Sequence, residues 1–129
     1  MNALASLAAV LGAPTLLDPA PRCFESQHTQ TPLFASTTPT LTLEVMDWDS
    51  SALATRVAEI LLREKLGYTV RLVKYTDPSE KGTTYAYGRV ASGEVSLNFE
   101  LWRSDQDVYD AALADGALEL SDVGFKGQR

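Results

Sequence analysis

An α/β domain with a parallel sheet is the fold class this sequence predicts, and three observations carry it. A largely apolar run at residues 41–46 is followed by a helical apolar period and then by an alternating run from Tyr68 to about Tyr75. Strand, helix and strand in that order, with short connections, form a parallel βαβ unit with a right-handed crossover. A second helical segment and a third apolar run at residues 95–99 continue the alternation, which is the pattern of a parallel sheet flanked by helices.

The first strand places Leu41, Leu43 and Val45 on one side, with Met46 on the other. Asp49, Ser50 and Ser51 then offer N-caps for the helix behind them. Leu53, Val57, Ile60, Leu61 and Glu64 follow the helical period, and Arg56, Glu59, Arg63 and Lys65 fall mainly elsewhere. That spacing predicts an amphipathic helix of about four turns with the first set buried. Gly67 suits the left-handed residue that ends it. Tyr68, Val70 and Leu72 alternate with Thr69 and Arg71 as the second strand. A turn-rich loop at residues 77–82 leads to a weaker helix over residues 83–92, which carries Gly88 inside it at a cost of about 1 kcal/mol against alanine. Gly93 ends that helix and leads into the third strand. Residues 105–114 read as a helix again, with Val108, Ala111, Ala112 and Leu113 on its buried face and Gly116 as its stop. In a doubly wound unit these three strands take the order second, first, third (2-1-3).

Ahead of this unit the character changes. Residues 2–17 are rich in Ala and Leu, and the first charge is Asp18. The run from Leu4 to Leu11 is too short to cross a bilayer and has no basic residue before it, so it reads as a short helix or a gene-model artefact in preference to a secretory signal. Residues 18–39 interleave Pro19, Pro21, Pro32 and Pro39 with Thr, Ser and Gln and keep neither period, which reads as a linker. Residues 1–39 are therefore a leader and linker, and the folded unit is expected over residues 40–129.

The chain has 129 residues and a formal charge of −6, an acidic balance that argues against nucleic acid or an anionic membrane as the main partner. Cys23 is the single cysteine and His28 the single histidine, both in the linker, so a Cys-His nucleophile or a metal site lacks a scaffold to hold its geometry. No phosphate-binding glycine loop and no nucleophile elbow occurs, and the folded part holds no histidine, so no enzyme is expected.

The two tryptophans carry the functional reading. Trp48 lies just past the first strand and Trp102 just past the third. Ligands of open α/β sheets bind outside the carboxyl ends of the strands, where these loops become neighbours. Asp47, Asp49, Ser50, Asn98 and Glu100 accompany them. An indole face holds a cation within about 6 Å of its centre, for roughly 0.5 to 2 kcal/mol per face. Trp48, Trp102, Asp49, Ser50 and Glu100 are thus the candidate binding residues, and the chemistry they suit is a quaternary ammonium group. Inward-packed tryptophans in a structural or interaction domain are the competing reading.

These residues also resemble a family, the substrate-binding proteins of glycine betaine/choline ABC transporters. The resemblance lies in Asp47, Trp48, Asp49, Ser50 and Ser51 after the first strand, in residues 58–62 (Ala-Glu-Ile-Leu-Leu) and in residues 66–70 (Leu-Gly-Tyr-Thr-Val). It continues through residues 91–95 (Ala-Ser-Gly-Glu-Val), residues 98–102 (Asn-Phe-Glu-Leu-Trp) and residues 124–127 (Gly-Phe-Lys-Gly). It implies a type II periplasmic-binding-protein-like lobe, truncated before the second lobe, with Trp48 and Trp102 as cage aromatics assisted by Asp49 or Ser50. It further implies a non-enzymatic, cofactor-free solute-binding protein, extracytoplasmic or membrane-associated, that delivers its ligand to a membrane permease. Ser96 stands where the family has an aspartate, so that position offers no acidic side chain.

Overall fold

The computed structural model describes residues 13–24, 39–78, 82–102, 106–114 and 116. Its elements are β1 (Thr15–Leu17), β2 (Leu41–Glu44), α1 (Asp49–Glu64), β3 (Val70–Lys74), α2 (Thr83–Ala91) and α3 (Gln106–Ala114). The chain is α/β, with a three-stranded mixed sheet. His28, Ala112 and residues 124–127, which entered the sequence reading, lie outside what is described.

β2 and β3 run parallel, with Leu41 opposite Val70 and Leu43 opposite Leu72, and α1 crosses between them. Gly67, at φ 73°, supplies the left-handed turn after α1, where the Tyr68 amide reaches back to the Leu62 carbonyl at 2.9 Å. Leu43, Val45 and Leu72 are the buried centre beneath α1, joined by Ala52 and Leu62 from the helix.

Three expectations need correction. The first concerns the sheet, whose order is β1-β3-β2. The expected first and second strands, here β2 and β3, are neighbours, but the far edge of β3 is taken by an unexpected strand and no full third strand forms beside β2 among the described residues. β1 comes from the expected leader and pairs antiparallel with β3, Leu16 opposite Val73, so the sheet draws on residues ahead of Thr40. The expected third strand is reduced to one parallel bridge, Leu43 to Leu97, on the free edge of β2. The cause is local. The Ser96 hydroxyl accepts the Thr42 amide at 3.0 Å, while the Ser96 and Leu97 amides both converge on the Thr42 carbonyl. A side chain has taken a rung of the ladder, and regular pairing stops there.

The second correction concerns the face that α1 buries. Of the expected set Glu64 is buried, but Leu53, Val57 and Leu61 are exposed, and Ser51, Thr55 and Glu59 are buried instead. The polar side is drawn in because it finds partners there. Ser51 Oγ accepts the Met46 amide at 3.1 Å instead of capping the helix, whose N-cap is Trp48. An arm formed by residues 18–24 then lies along α1 and meets it almost entirely through its backbone. Arg56 donates to the Asp18 carbonyl at 2.6 Å and Arg63 to the Ala20 carbonyl at 2.7 Å. Glu59 accepts the Ala20 amide at 3.0 Å, and Glu64 accepts those of Cys23 and Phe24 at 2.9 and 2.6 Å. Buried carboxylates held by this many donors are satisfied, so burying them is tolerated.

The third correction is α3, where Val108 and Ala111 are exposed and Tyr109 is the buried residue. Tyr109 packs on Tyr87 of α2 with ring centres 5.6 Å apart and planes at 58°, a favourable tilted pair.

Candidate functional site

Where the parallel strands β2 and β3 end, the chain opens a cavity of about 180 Å³. Its lining comes from Glu44, Val45, Met46, Asp47 and Trp48 after β2, Tyr75 after β3, and Gly82 and Arg89 at the two ends of α2. Each contributor follows from the fold. β2 ends in Glu44, the four residues after it continue the lining, and α1 starts from Trp48. α2 starts from Gly82, whose φ of 100° lets the loop turn sharply into the helix.

At the floor lies a buried ion pair. Glu44 is 2% exposed and Arg89 8%, and the guanidinium meets the carboxylate in a forked arrangement, Nη2 on Oε1 and Nε on Oε2. Asn98 adds an amide donor toward Glu44 Oε2 at 3.5 Å. The Arg89 guanidinium also lies 3.9 Å from the centre of the Tyr75 ring, a cation-π contact inside the cavity wall. The Tyr75 hydroxyl donates to Glu94 at 2.5 Å. Burial first, and then that hydrogen bond to a carboxylate, push this phenol above the ordinary tyrosine range, so it stays protonated and donating.

Trp48 is half-buried, and its Nε1 is buried without a hydrogen-bond partner among the described residues. Buried donors are normally paired, so this N–H stands out. Asp47, at the exposed rim, is bridged by Lys74 at 3.1 Å.

The other sequence-derived candidates form a second group. Ser50 Oγ donates to Glu100 Oε1 at 2.8 Å, and Trp102 Nε1 donates to the same oxygen at 3.0 Å. Asn98 orients this carboxylate's backbone by accepting the Glu100 amide at 3.1 Å. The Tyr87 hydroxyl holds the Trp102 carbonyl at 3.0 Å. Trp102 is 57% exposed and does not line the cavity. Ser50, Glu100 and Trp102 are therefore brought together, Trp48 faces the cavity two residues away, and Asp49 stands exposed in the first turn of α1.

Glu44, Tyr75 and Arg89 escaped the sequence reading. Glu44 occupies the polar phase of an alternating strand, which ordinarily means water, and its partner lies on an element 45 residues away. One signal was available: a lone arginine inside the short, otherwise uncharged α2. Among the described residues no cluster of His, Cys, Asp and Glu could hold a metal ion. Cys23 is exposed, and its thiol lies 3.6 Å from the Pro21 carbonyl.

Models of known families, curated proteins and solved structures were compared with the chain, and none of the three comparisons yields a match.

Proposed function

We propose that the cavity at the carboxyl ends of β2 and β3 binds a small organic cation of the quaternary ammonium class, such as glycine betaine or choline. One observation carries the reading. Trp48 lines the cavity beside Tyr75, whose ring carries the Arg89 guanidinium at 3.9 Å, so Trp48 supplies the aromatic face left for a ligand. Glu44 and Asp47 in the same lining are paired with Arg89 and Lys74. A methylated ammonium has no hydrogens to donate, so it is recognised by such faces together with diffuse negative charge. Ser50, Glu100 and Trp102 form a separate acidic and aromatic group, and Asp49 is exposed at the start of α1. On the family resemblance this is one lobe of a type II periplasmic-binding-protein-like module, working outside the cytoplasm with the permease of an ABC transporter.

Tryptophan fluorescence tests the reading, because the chain has two tryptophans and both are candidates. Titration with glycine betaine and choline is expected to give a saturable change that unmethylated glycine does not. Trp48→Ala is expected to abolish it, whereas Trp102→Ala, which lies outside the cavity lining, is expected to change affinity far less. Silence up to high millimolar ligand would rule the cavity out as a cation site.

A second reading, an interaction domain without a small ligand, is favoured by a different observation: the apolar side of α1 faces away from the sheet.

A further inference from the structure

Leu53 is 68% exposed, Val57 49% and Leu61 44%. Spaced four residues apart, they form one stripe along the outer side of α1, opposite the residues that meet the sheet. Single exposed leucines are ordinary, but a contiguous apolar ridge on a well-formed helix marks a contact surface.

We propose that this ridge is the seam of a homodimer in which α1 packs antiparallel against α1 of a second copy, about a two-fold axis at Val57. The stripe reads alike in both directions, since Leu53 and Leu61 lie four residues to either side of Val57. A two-fold axis there sets Leu53 of each copy against Leu61 of the other and Val57 against itself, an isologous contact. Charge fixes the direction. One further step of four beyond the leucines reaches Asp49 at one end and Lys65 at the other. The antiparallel arrangement places each Asp49 toward the other copy's Lys65, whereas a parallel one opposes like charges at both ends. It also opposes the two helix dipoles.

Nearby charges do not disturb this pattern. Arg56 and Arg63 are committed to Glu59, Glu64 and the arm. Glu64, which continues the face of the stripe beyond Leu61, is paired with Arg63 and covered by Cys23 and Phe24 of the arm. Lys65 lies over the Phe24 ring at 3.9 Å, which holds its ammonium at the end of the helix. An anionic lipid surface suits the ridge less well, because the chain carries a net charge of −6. Three aliphatic side chains make a small seam, so the dimer is a weak one that fills at high protein concentration.

Sedimentation of the full chain from micromolar to millimolar concentration tests this. The mass is expected to climb with concentration from 14.0 kDa toward twice that value. Leu53→Glu is expected to hold it at the monomer. Asp49→Lys and Lys65→Asp, made singly, are each expected to weaken association by about tenfold, because the symmetry repeats each repulsion at both ends. Combined in one chain, they are expected to restore it. Circular dichroism confirms the helix in every variant, since all three positions lie at the surface or helix end. A chain that stays monomeric throughout, a dimer indifferent to Leu53→Glu, or a charge exchange that fails to restore association would each overturn the proposal. Persistent monomer would leave the ridge to a different protein partner.

Discussion

The two faces of the sheet are held together by different physics. On one, Leu43, Val45 and Leu72 pack beneath α1 with Ala52 and Leu62, a mainly apolar contact in which the Ser51 and Thr55 hydroxyls bond to backbone at Met46 and Glu44. On the other, one residue further along β2, Glu44 and Arg89 pair beneath Tyr75, with Val73 and Val95 beside them. The apolar face degrades gradually when trimmed, because neighbours can partly collapse into the gap. The charged face does not, since removing one partner leaves the other as a buried charge without its counter-ion. The cavity has been built on the less forgiving face.

Taking one partner from the charged face is the largest perturbation. Glu44→Ala is expected to cost about 3 to 5 kcal/mol in urea unfolding, by leaving the Arg89 guanidinium buried without the carboxylate that balances its charge. Replacing both partners, Glu44→Leu with Arg89→Met, is expected to be near neutral or stabilising while removing the cation from the Tyr75 face. Similar losses for the single and the double replacement would mean that the pair is a net stabiliser. On the apolar face, Leu43→Ala is expected to cost roughly 3 kcal/mol, with a spread set by how far Val45 and Leu72 close the gap. A loss there equal to that of Glu44→Ala would erase the contrast between the faces.

The smallest expected effect concerns the arm on α1 and depends on pH. Burial raises the Glu64 carboxyl, but the Arg63 guanidinium and the Phe24 and Cys23 amides outweigh it and hold the group below the ordinary glutamate range. A lowered folded-state value contributes stability above the unfolded value, and that contribution is lost as pH falls through the folded one. The Cys23 and Phe24 amide shifts are therefore expected to titrate together in acid, with a midpoint below that of a free glutamate. In Glu64→Gln that joint titration is expected to vanish. A midpoint at or above the free value would show that the arm does not depend on the carboxylate.

Much of the fold was legible because it is local. Helical periodicity and the glycines at 67, 93 and 116 marked where helices run and stop, and each of those glycines has a positive φ. The parallel pairing of β2 with β3 followed from the βαβ order. What escaped was non-local. The amphipathic period of α1 could not reveal that the arm would supply backbone partners for Glu59 and Glu64 and so turn Leu53 and Val57 outward. Tyr109 outranks Val108 because a second tyrosine waits on α2. At the candidate site, the ends of the strands were readable as a place, and Trp48 borders the cavity found there. Glu44 was not readable, since its burial depends on an arginine that only the tertiary fold brings near.

The position of β1 also sets an order of events. A chain made from its amino end produces Leu17 long before Leu72, the residue it pairs with, so β1 leaves the ribosome with no sheet to join. β2, α1 and β3 can assemble first from contacts close in sequence, whereas the arm must wait for an edge that they create. β1, synthesised before β2 and β3, is thus the last of these three strands to be placed, and until then the rim of β3 stays open.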